Sequence, residues 1–217
     1  RWMSAVSEVI SGQVIAIDGK VLRRSHDKGI GKAAIDMVSA WATANRLVLG
    51  QVKVDEKSNE ISAIPQLLEA LEVSGCIVTI DAIGCQTDIA AKIIDREAEY
   101  VLSLKENQGH LYEDVEHLFG DLEESQYKAY AYDYEKTVNK DHGRIEIREC
   151  WTISNREVLR HLRGAANWKN LATVSHIRAQ RWLGEEKSCV DRYHIASITG
   201  AKQVLWAVRS HWGIENE

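Results

Sequence analysis

The sequence predicts an α/β fold in which a mixed five-stranded sheet with flanking helices is followed by a mostly β insertion and one last helix. Three observations lead to this prediction. Apolar β-branched runs and amphipathic stretches alternate over the first 119 residues, in the order strand, strand, strand, helix, strand, helix, strand, helix. From Gly120 the pattern changes to alternating apolar and polar residues, which is typical of antiparallel strands with one solvent-facing side. Helical spacing of apolar residues returns from Thr199 onward.

The predicted strands of the first part are short apolar runs between polar or glycine-containing breaks. Two of them form an antiparallel pair because only residues 44–46 separate them. In chain order the five strands cover residues 14–17, 35–43, 47–54, 76–80 and 100–104. In the insertion, residues 144–148, 171–177 and 191–198 predict further strands.

The predicted helices carry apolar residues every three or four positions. They cover residues 1–11 (the end of a preceding helix), 61–71, 87–94, 107–119, 155–162 and 199–217. Thr199 is the expected cap of the last helix, and Trp206 and Trp212 are expected to pack that helix on the sheet. Residues 20–32 predict a basic, glycine-containing loop.

The composition is that of an ordinary globular domain, with 217 residues of which 45% are hydrophobic and 27% charged. No apolar run is long enough to span a membrane, and no signal peptide begins the chain. The four cysteines form no C-x-x-C pair, so a reducing cytoplasmic location is expected. The chain begins at Arg1 and stops at Glu217 inside a predicted helix, so we expect a fragment truncated at both ends.

The charges are distributed unevenly along the chain. The net charge is −5, yet residues 136–192 hold 12 Lys and Arg against 7 Asp and Glu. An acidic body with a basic segment indicates a possible nucleic-acid surface, although an ordinary solvated surface explains the asymmetry equally well.

Two of the predicted buried strands lead directly into an aspartate. Asp18 follows residues 14–17, and Asp81 follows residues 76–80. A single such aspartate is more often a cap or a turn residue, but two indicate carboxylates at one edge of one sheet. Such a pair suits acid/base chemistry in a glycosidase or another hydrolase, or the binding of divalent metal ions. Glu215, in the last helix, is a candidate third carboxylate.

A set of short motifs makes the metal-ion reading specific. They are residues 17–20 with Arg23, 38–40, 56–61, 79–82 and 84–86, Lys105 with Asn107 and Gln108, 142–144 with Glu146 and Arg148, and Arg209 with residues 211–212 and 214–216. In this order the chain resembles the DDE transposases of bacterial insertion sequences, in the group that includes the H-repeat-associated proteins. The motifs span nearly the whole chain.

The resemblance implies a ribonuclease-H-like catalytic core over residues 1–119, the insertion over 120–198 and a core helix over 199–217. It implies Asp18, Asp81 and Glu215 as catalytic and metal-binding residues, with two Mg²⁺ or Mn²⁺ ions in each active site. The implied activity is DNA strand cleavage and strand transfer at transposon ends, by a homodimer in the working complex. A catalytically inactive DNA-binding remnant of a decayed element is the alternative.

Several polar residues are expected to contact DNA. Lys105, Asn107 and Gln108 open a helix, where backbone N–H groups suit phosphate, although capping explains them equally well. The others are Lys20, Arg23, His142, Arg144, Arg148 and His211. Trp151, Trp168 and Trp182 are expected in the core of the insertion, with stacking on a base as the alternative.

Overall fold

The computed structural model describes residues 12–21, 36–43, 47–54, 60–141, 143–184 and 186–212. The predicted helix over residues 1–11 and the predicted loop beyond Val21 lie outside these residues. The chain divides into two compact units, one with the described residues up to Leu102 and those from Ala207 on, the other comprising Ser103–Trp206. The units are defined by contacts, and the three-part division at residues 119 and 198 stays a prediction.

The first unit is built on the five predicted strands. They are β1 (Val14–Val21), β2 (Asp36–Ala42), β3 (Leu47–Lys53), β4 (Ile77–Ile80) and β5 (Glu99–Leu104), in the spatial order β3-β2-β1-β4-β5. The strands β1, β2 and β3 are antiparallel to their neighbours, whereas β1, β4 and β5 run parallel. The mixed α/β class is therefore confirmed. Every residue of β4 is buried, as expected for a central strand of a parallel arrangement.

The helices of this unit cover the sheet closely. They are α1 (Glu60–Ala70), which packs on β2 and β3, and α2 (Thr87–Asp95), which packs on α1. Gly50 in β3 permits the close approach of α1, since a Cβ atom there would lie 3.2 Å from Leu67 Cδ1 and 3.3 Å from Leu71 Cδ2. The apolar stripe predicted for residues 61–71 therefore faces the sheet.

The second unit contains an antiparallel sheet and a long helix. The helix is α3 (Gly109–Glu124), and the strands are β6 (Asp133–Asp141), β7 (Arg144–Ile153), β8 (Thr173–Leu183) and β9 (Glu186–Ala196), in the order β9-β8-β7-β6. A short helix, α4 (Arg156–Arg160), lies between β7 and β8. The strands β8 and β9 extend well beyond the predicted residues 171–177 and 191–198. Their far halves are mostly exposed, so no apolar run marks them, although the backbone pairing continues.

The last described helix is α5 (Ala201–His211), which begins two residues after its predicted cap, Thr199. The N–H of Ala201 donates to Asp133 Oδ2 at 2.8 Å, so a side chain distant in sequence serves this helix start. The predicted packing of Trp206 and Trp212 is wrong, since they are 45% and 37% exposed. The buried face of α5 is lined instead by smaller side chains, among them Val204, Leu205, Ala207 and Val208.

Candidate functional site

The two predicted aspartates follow paired residues on neighbouring parallel strands. Ile17 of β1 is in register with Ile80 of β4, and the next residues are Asp18 and Asp81. Parallel neighbours lie about 4.8 Å apart, and residues in the same register face the same side of the sheet. Both residues are half-buried. The fold therefore brings these two carboxylate residues side by side at one edge of the parallel pairing.

The two aspartates differ in their local setting. Asp81 follows the last residue of β4, as predicted, but Asp18 lies inside β1, which continues to Val21. The extension arises because β1 pairs with β2 as far as Val21, whereas its pairing with β4 stops at Ile17. Asp18 is thus fixed by a strand on one side, which a pattern of apolar residues alone does not indicate.

The turn after Asp81 is fixed by packing. A Cβ atom at Gly84 would lie 2.3 Å from Ile80 Cγ2 and 2.9 Å from Ile64 Cδ1, so only glycine fits without displacement. Burial, and after it the negative charge of Asp81, raise the pKa of the neighbouring Cys85 thiol well above its usual range. Cys85 therefore stays a neutral, buried thiol. This turn sets the backbone shape and contributes no reactive group.

The C-terminal end of α5 contacts β4 close to Asp81. His211 Nδ1 lies 3.0 Å from Thr79 Oγ1, in a partly buried hydrogen bond. Thr79 is 2% exposed, whereas His211 is half-buried. This contact was not expected from the sequence, because Thr79 looks like one more β-branched residue of a buried strand.

Four expected site residues lie wholly or partly outside the part of the chain that the structure describes. Glu215, Arg23 and His142 are outside it, and only the backbone of Lys20 is described. Within the described part, no three His, Cys, Asp or Glu side chains come together as a metal site. The third carboxylate expected from the sequence is not among those residues. The pair at Asp18 and Asp81 offers the hard oxygen ligands that Mg²⁺ and Mn²⁺ prefer, so the donor chemistry fits.

The expected contacts before α3 lie at the surface. Lys105 and Asn107 are exposed and Gln108 is half-buried, around a single 3-10 turn. Neither Lys105 nor Gln108 caps its helix with a side chain. The capping alternative thus receives no support for these two residues, and their contact with DNA stays a prediction.

The two arginines of β7 bind one carboxylate. Arg144 Nε lies 2.9 Å from Glu146 Oε1, and Arg148 Nη2 lies 2.5 Å from Glu146 Oε2. Burial alone would raise the pKa of Glu146, but the hydrogen bond from Arg148 and the nearby arginine charges hold it below its usual value. The predicted shared face of Arg144 and Arg148 is therefore present, with an ionised glutamate between them.

A network of stacked rings and charges in the second unit was missed by the sequence reading. The His176 ring stacks between Trp151 and Tyr193, with ring centroids 5.4 Å and 5.0 Å away. Arg178 donates to both carboxylate oxygens of Glu123 at 3.0 Å and to Asp191 Oδ1 at 2.8 Å. Trp151 and Trp168 are buried, which confirms their core placement, whereas Trp182 is half-buried beside Lys187. The available signal was the spacing of two residues between aromatic and charged positions along β8 and β9.

With this geometry described, comparison with known proteins identifies the family. The sequence profile described as "Transposase DDE domain" matches residues 11–216. The chain belongs to the DDE transposase family. The expected resemblance is therefore confirmed, and the matched range includes Asp18, Asp81 and Glu215.

Curated relatives agree with this assignment. The transposase domain is 42% identical over 220 residues to "Putative transposase YncI" of Escherichia coli O157:H7, covering 100% of this chain and 55% of that protein. It is 38% identical over 224 residues to "H repeat-associated putative transposase YhhI" of Escherichia coli K12, covering 100% of this chain and 57% of that protein. The chain thus spans about half the length of the curated relatives it matches.

Among solved structures, a S-adenosylmethionine-dependent methyltransferase of Clostridium acetobutylicum aligns with 62% of this chain and 46% of its own, at 9% identity and a TM-score of 0.21. That likeness carries no argument about the fold. None of the helices in the described residues is long and apolar enough to cross a membrane.

Proposed function

We propose that this chain is the catalytic domain of a transposase that cleaves and joins DNA strands at the ends of an insertion sequence. The observation that carries the proposal is the adjacency of Asp18 and Asp81, at one edge of the parallel strands in a chain of the DDE transposase family. The strand order β3-β2-β1-β4-β5, with three antiparallel strands and then parallel ones, supports a ribonuclease-H-like core.

The proposed metal ligands are Asp18, Asp81 and Glu215. Two Mg²⁺ or Mn²⁺ ions, when bound, would supply Lewis-acid activation of the attacking hydroxyl and charge neutralisation at the phosphate. The contribution of Asp18 and Asp81 is to hold two oxygen-donor groups on rigid neighbouring strands, so that little reorganisation is needed when DNA arrives. The buried wall behind them, which includes Thr79 and Cys85, excludes water from that side.

The proposed DNA contacts are cationic and amide side chains that would hold phosphates near this edge. Arg144 and Arg148 would present a cluster whose charge Glu146 partly neutralises. The remaining proposed contacts are Lys20, Arg23, Lys105, Asn107, Gln108 and His142, while His211 is treated in the next section. The transposition complex is proposed to be a homodimer on DNA in the cytoplasm.

The proposal is tested by nicking and joining of a labelled transposon-end DNA with Mn²⁺, using the full-length protein. Asp18→Asn and Asp81→Asn should each lower the rate by more than about 1000-fold, since each removes a charged metal ligand. Asp88→Asn, a change at an exposed aspartate in the first turn of α2, is the matched control and should leave the rate unchanged. If Asp81→Asn is as active as the wild type, the proposed function fails. If the wild type binds the DNA end but never cuts it, the inactive-remnant alternative is favoured.

A further inference from the structure

The contact between His211 and Thr79 joins a buried strand to the end of a helix. The Thr79 hydroxyl is 2% exposed, and buried hydroxyls are stable only with a hydrogen-bond partner. Its partners in strand register are Ala16 on β1 and Val101 on β5, which have no polar side-chain atoms. His211 Nδ1, at 3.0 Å, supplies a partner to the hydroxyl.

The positions of the two residues give this contact a further meaning. Thr79 precedes Asp81 by two residues, so their side chains face the same side of the sheet. His211 precedes Glu215 by four residues, the spacing of about one helical turn. The hydrogen bond therefore connects the strand that leads to one proposed metal ligand with the helix that leads to another.

We propose that Thr79 and His211 are positioning residues for the metal site. Their hydrogen bond fixes the end of α5 against β4, so that the carboxylates of Asp81 and Glu215 meet the same ion. This inference rests on the proposed function, and it gives His211 a task different from the expected contact with DNA. A half-buried imidazole whose Nδ1 already binds Thr79 is better placed to align the helix than to reach a phosphate.

The experiment compares four variants of the full-length protein. Thr79→Val removes the hydroxyl but keeps the shape, and Thr79→Ser keeps the hydroxyl. His211→Ala removes the ring, and His211→Asn keeps a polar atom near the position of Nδ1. Three quantities are measured for each: Mn²⁺ affinity by electron paramagnetic resonance without DNA, affinity for the DNA end in Ca²⁺, and the single-turnover nicking rate in Mn²⁺.

We expect Thr79→Val and His211→Ala to weaken Mn²⁺ binding and slow nicking by about 10- to 100-fold, which is typical for groups that orient metal ligands. Affinity for the DNA end should stay within about twofold of the wild type. Thr79→Ser and His211→Asn should recover most of both losses, which a purely structural role of the side-chain volume would not predict. His211→Ala changes a half-buried site, so it provides the test if Thr79→Val does not fold.

Three results would overturn the inference. Thr79→Val and His211→Ala could keep wild-type Mn²⁺ affinity and nicking rate, Thr79→Ser could be as impaired as Thr79→Val, or His211→Ala could weaken DNA binding with Mn²⁺ affinity unchanged. The last result would make His211 a DNA contact. Asp81→Asn separates the two proposals: if it remains active, the proposed function fails, whereas an inactive Asp81→Asn with a fully active Thr79→Val overturns only the positioning role.

Discussion

Around Asp81 in the first unit, two like charges are neighbours and apolar contacts hold the chain, whereas around Arg178 in the second unit each charge lies against its opposite. Asp18 and Asp81 follow one another across parallel strands. Arg178, in contrast, binds Glu123 and Asp191. Like charges placed together disfavour the folded state, so they mark a site that awaits a cation, whereas opposite charges mark a structural connection. The following predictions test that distinction, from the largest expected effect to the smallest.

Gly84→Ala tests whether apolar packing holds the region of Asp81. The added methyl group would overlap Ile80 and Ile64, so we expect a loss of about 3 kcal/mol in the free energy of unfolding, and a lower nicking rate. Urea unfolding measures the first quantity. Gly120→Ala in α3 is the matched control, because nothing lies within 4 Å of its added Cβ. That control should be stabilised by about 0.5–1 kcal/mol. Equal stability of Gly84→Ala and the wild type would contradict the packing argument.

Arg178→Met tests whether charge pairs hold the second unit. The change leaves Glu123 and Asp191 without their guanidinium partner, and we expect a loss of about 2 kcal/mol in the free energy of unfolding. The effect is moderate because the Glu123 side chain is 52% exposed and solvent screens the pair. Arg156→Met, at an exposed position in α4, is the control and should change the stability by less than about 0.5 kcal/mol. A stable Arg178→Met protein would show that the stacked rings suffice.

His176 gives the second unit a pH-dependent stability. Burial lowers the pKa of His176 from its usual 6.5, and the hydrogen bond to Asp191 only partly offsets that effect. The unfolded chain therefore binds a proton more readily, so stability is full above about pH 6.5 and falls as the pH drops below it.

Trp fluorescence during urea unfolding between pH 7.5 and 5.5 measures this loss. His176→Gln should flatten the dependence over that range, whereas His117→Gln, at an exposed position of α3, should leave it as in the wild type. A wild-type protein that gains stability on acidification over that range would contradict the assigned direction.

Glu146→Gln tests whether Glu146 limits the DNA contacts of β7. Removing its negative charge releases Arg144 and Arg148 for phosphate, so affinity for the DNA end should rise about two- to fivefold, with a steeper dependence on salt. Fluorescence anisotropy at several salt concentrations measures both quantities. Glu157→Gln in α4 is the matched control, since Glu157 also pairs with an arginine but lies outside the strand. Unchanged affinity and salt dependence would place the DNA path elsewhere.

The first unit was predicted well because its signals are local. The runs that became β4 and β5 are short, apolar and buried, and Asp81 follows its strand as the pattern indicated. Asp18 was found by the same rule, although β1 continues past it, since pairing with β2 extends a strand whose sequence has turned polar.

The second unit was predicted less well because its stabilising contacts join residues distant in sequence. The bonds of Arg178 to Glu123 and of Ala201 to Asp133 span 55 and 68 residues. Neither has a local pattern, and the outer halves of β8 and β9 lack an apolar face that would mark them. The same limit hid Thr79, whose partner His211 is 132 residues away.

The central claim is that Asp18 and Asp81 hold a divalent cation, and a Mn²⁺ titration followed by electron paramagnetic resonance tests it most directly. The wild-type protein should bind Mn²⁺, and Asp18→Asn and Asp81→Asn should each weaken that binding by at least about tenfold. Asp88→Asn, at the exposed start of α2, should bind Mn²⁺ as the wild type does. Wild-type Mn²⁺ affinity in both Asp18→Asn and Asp81→Asn would contradict the account.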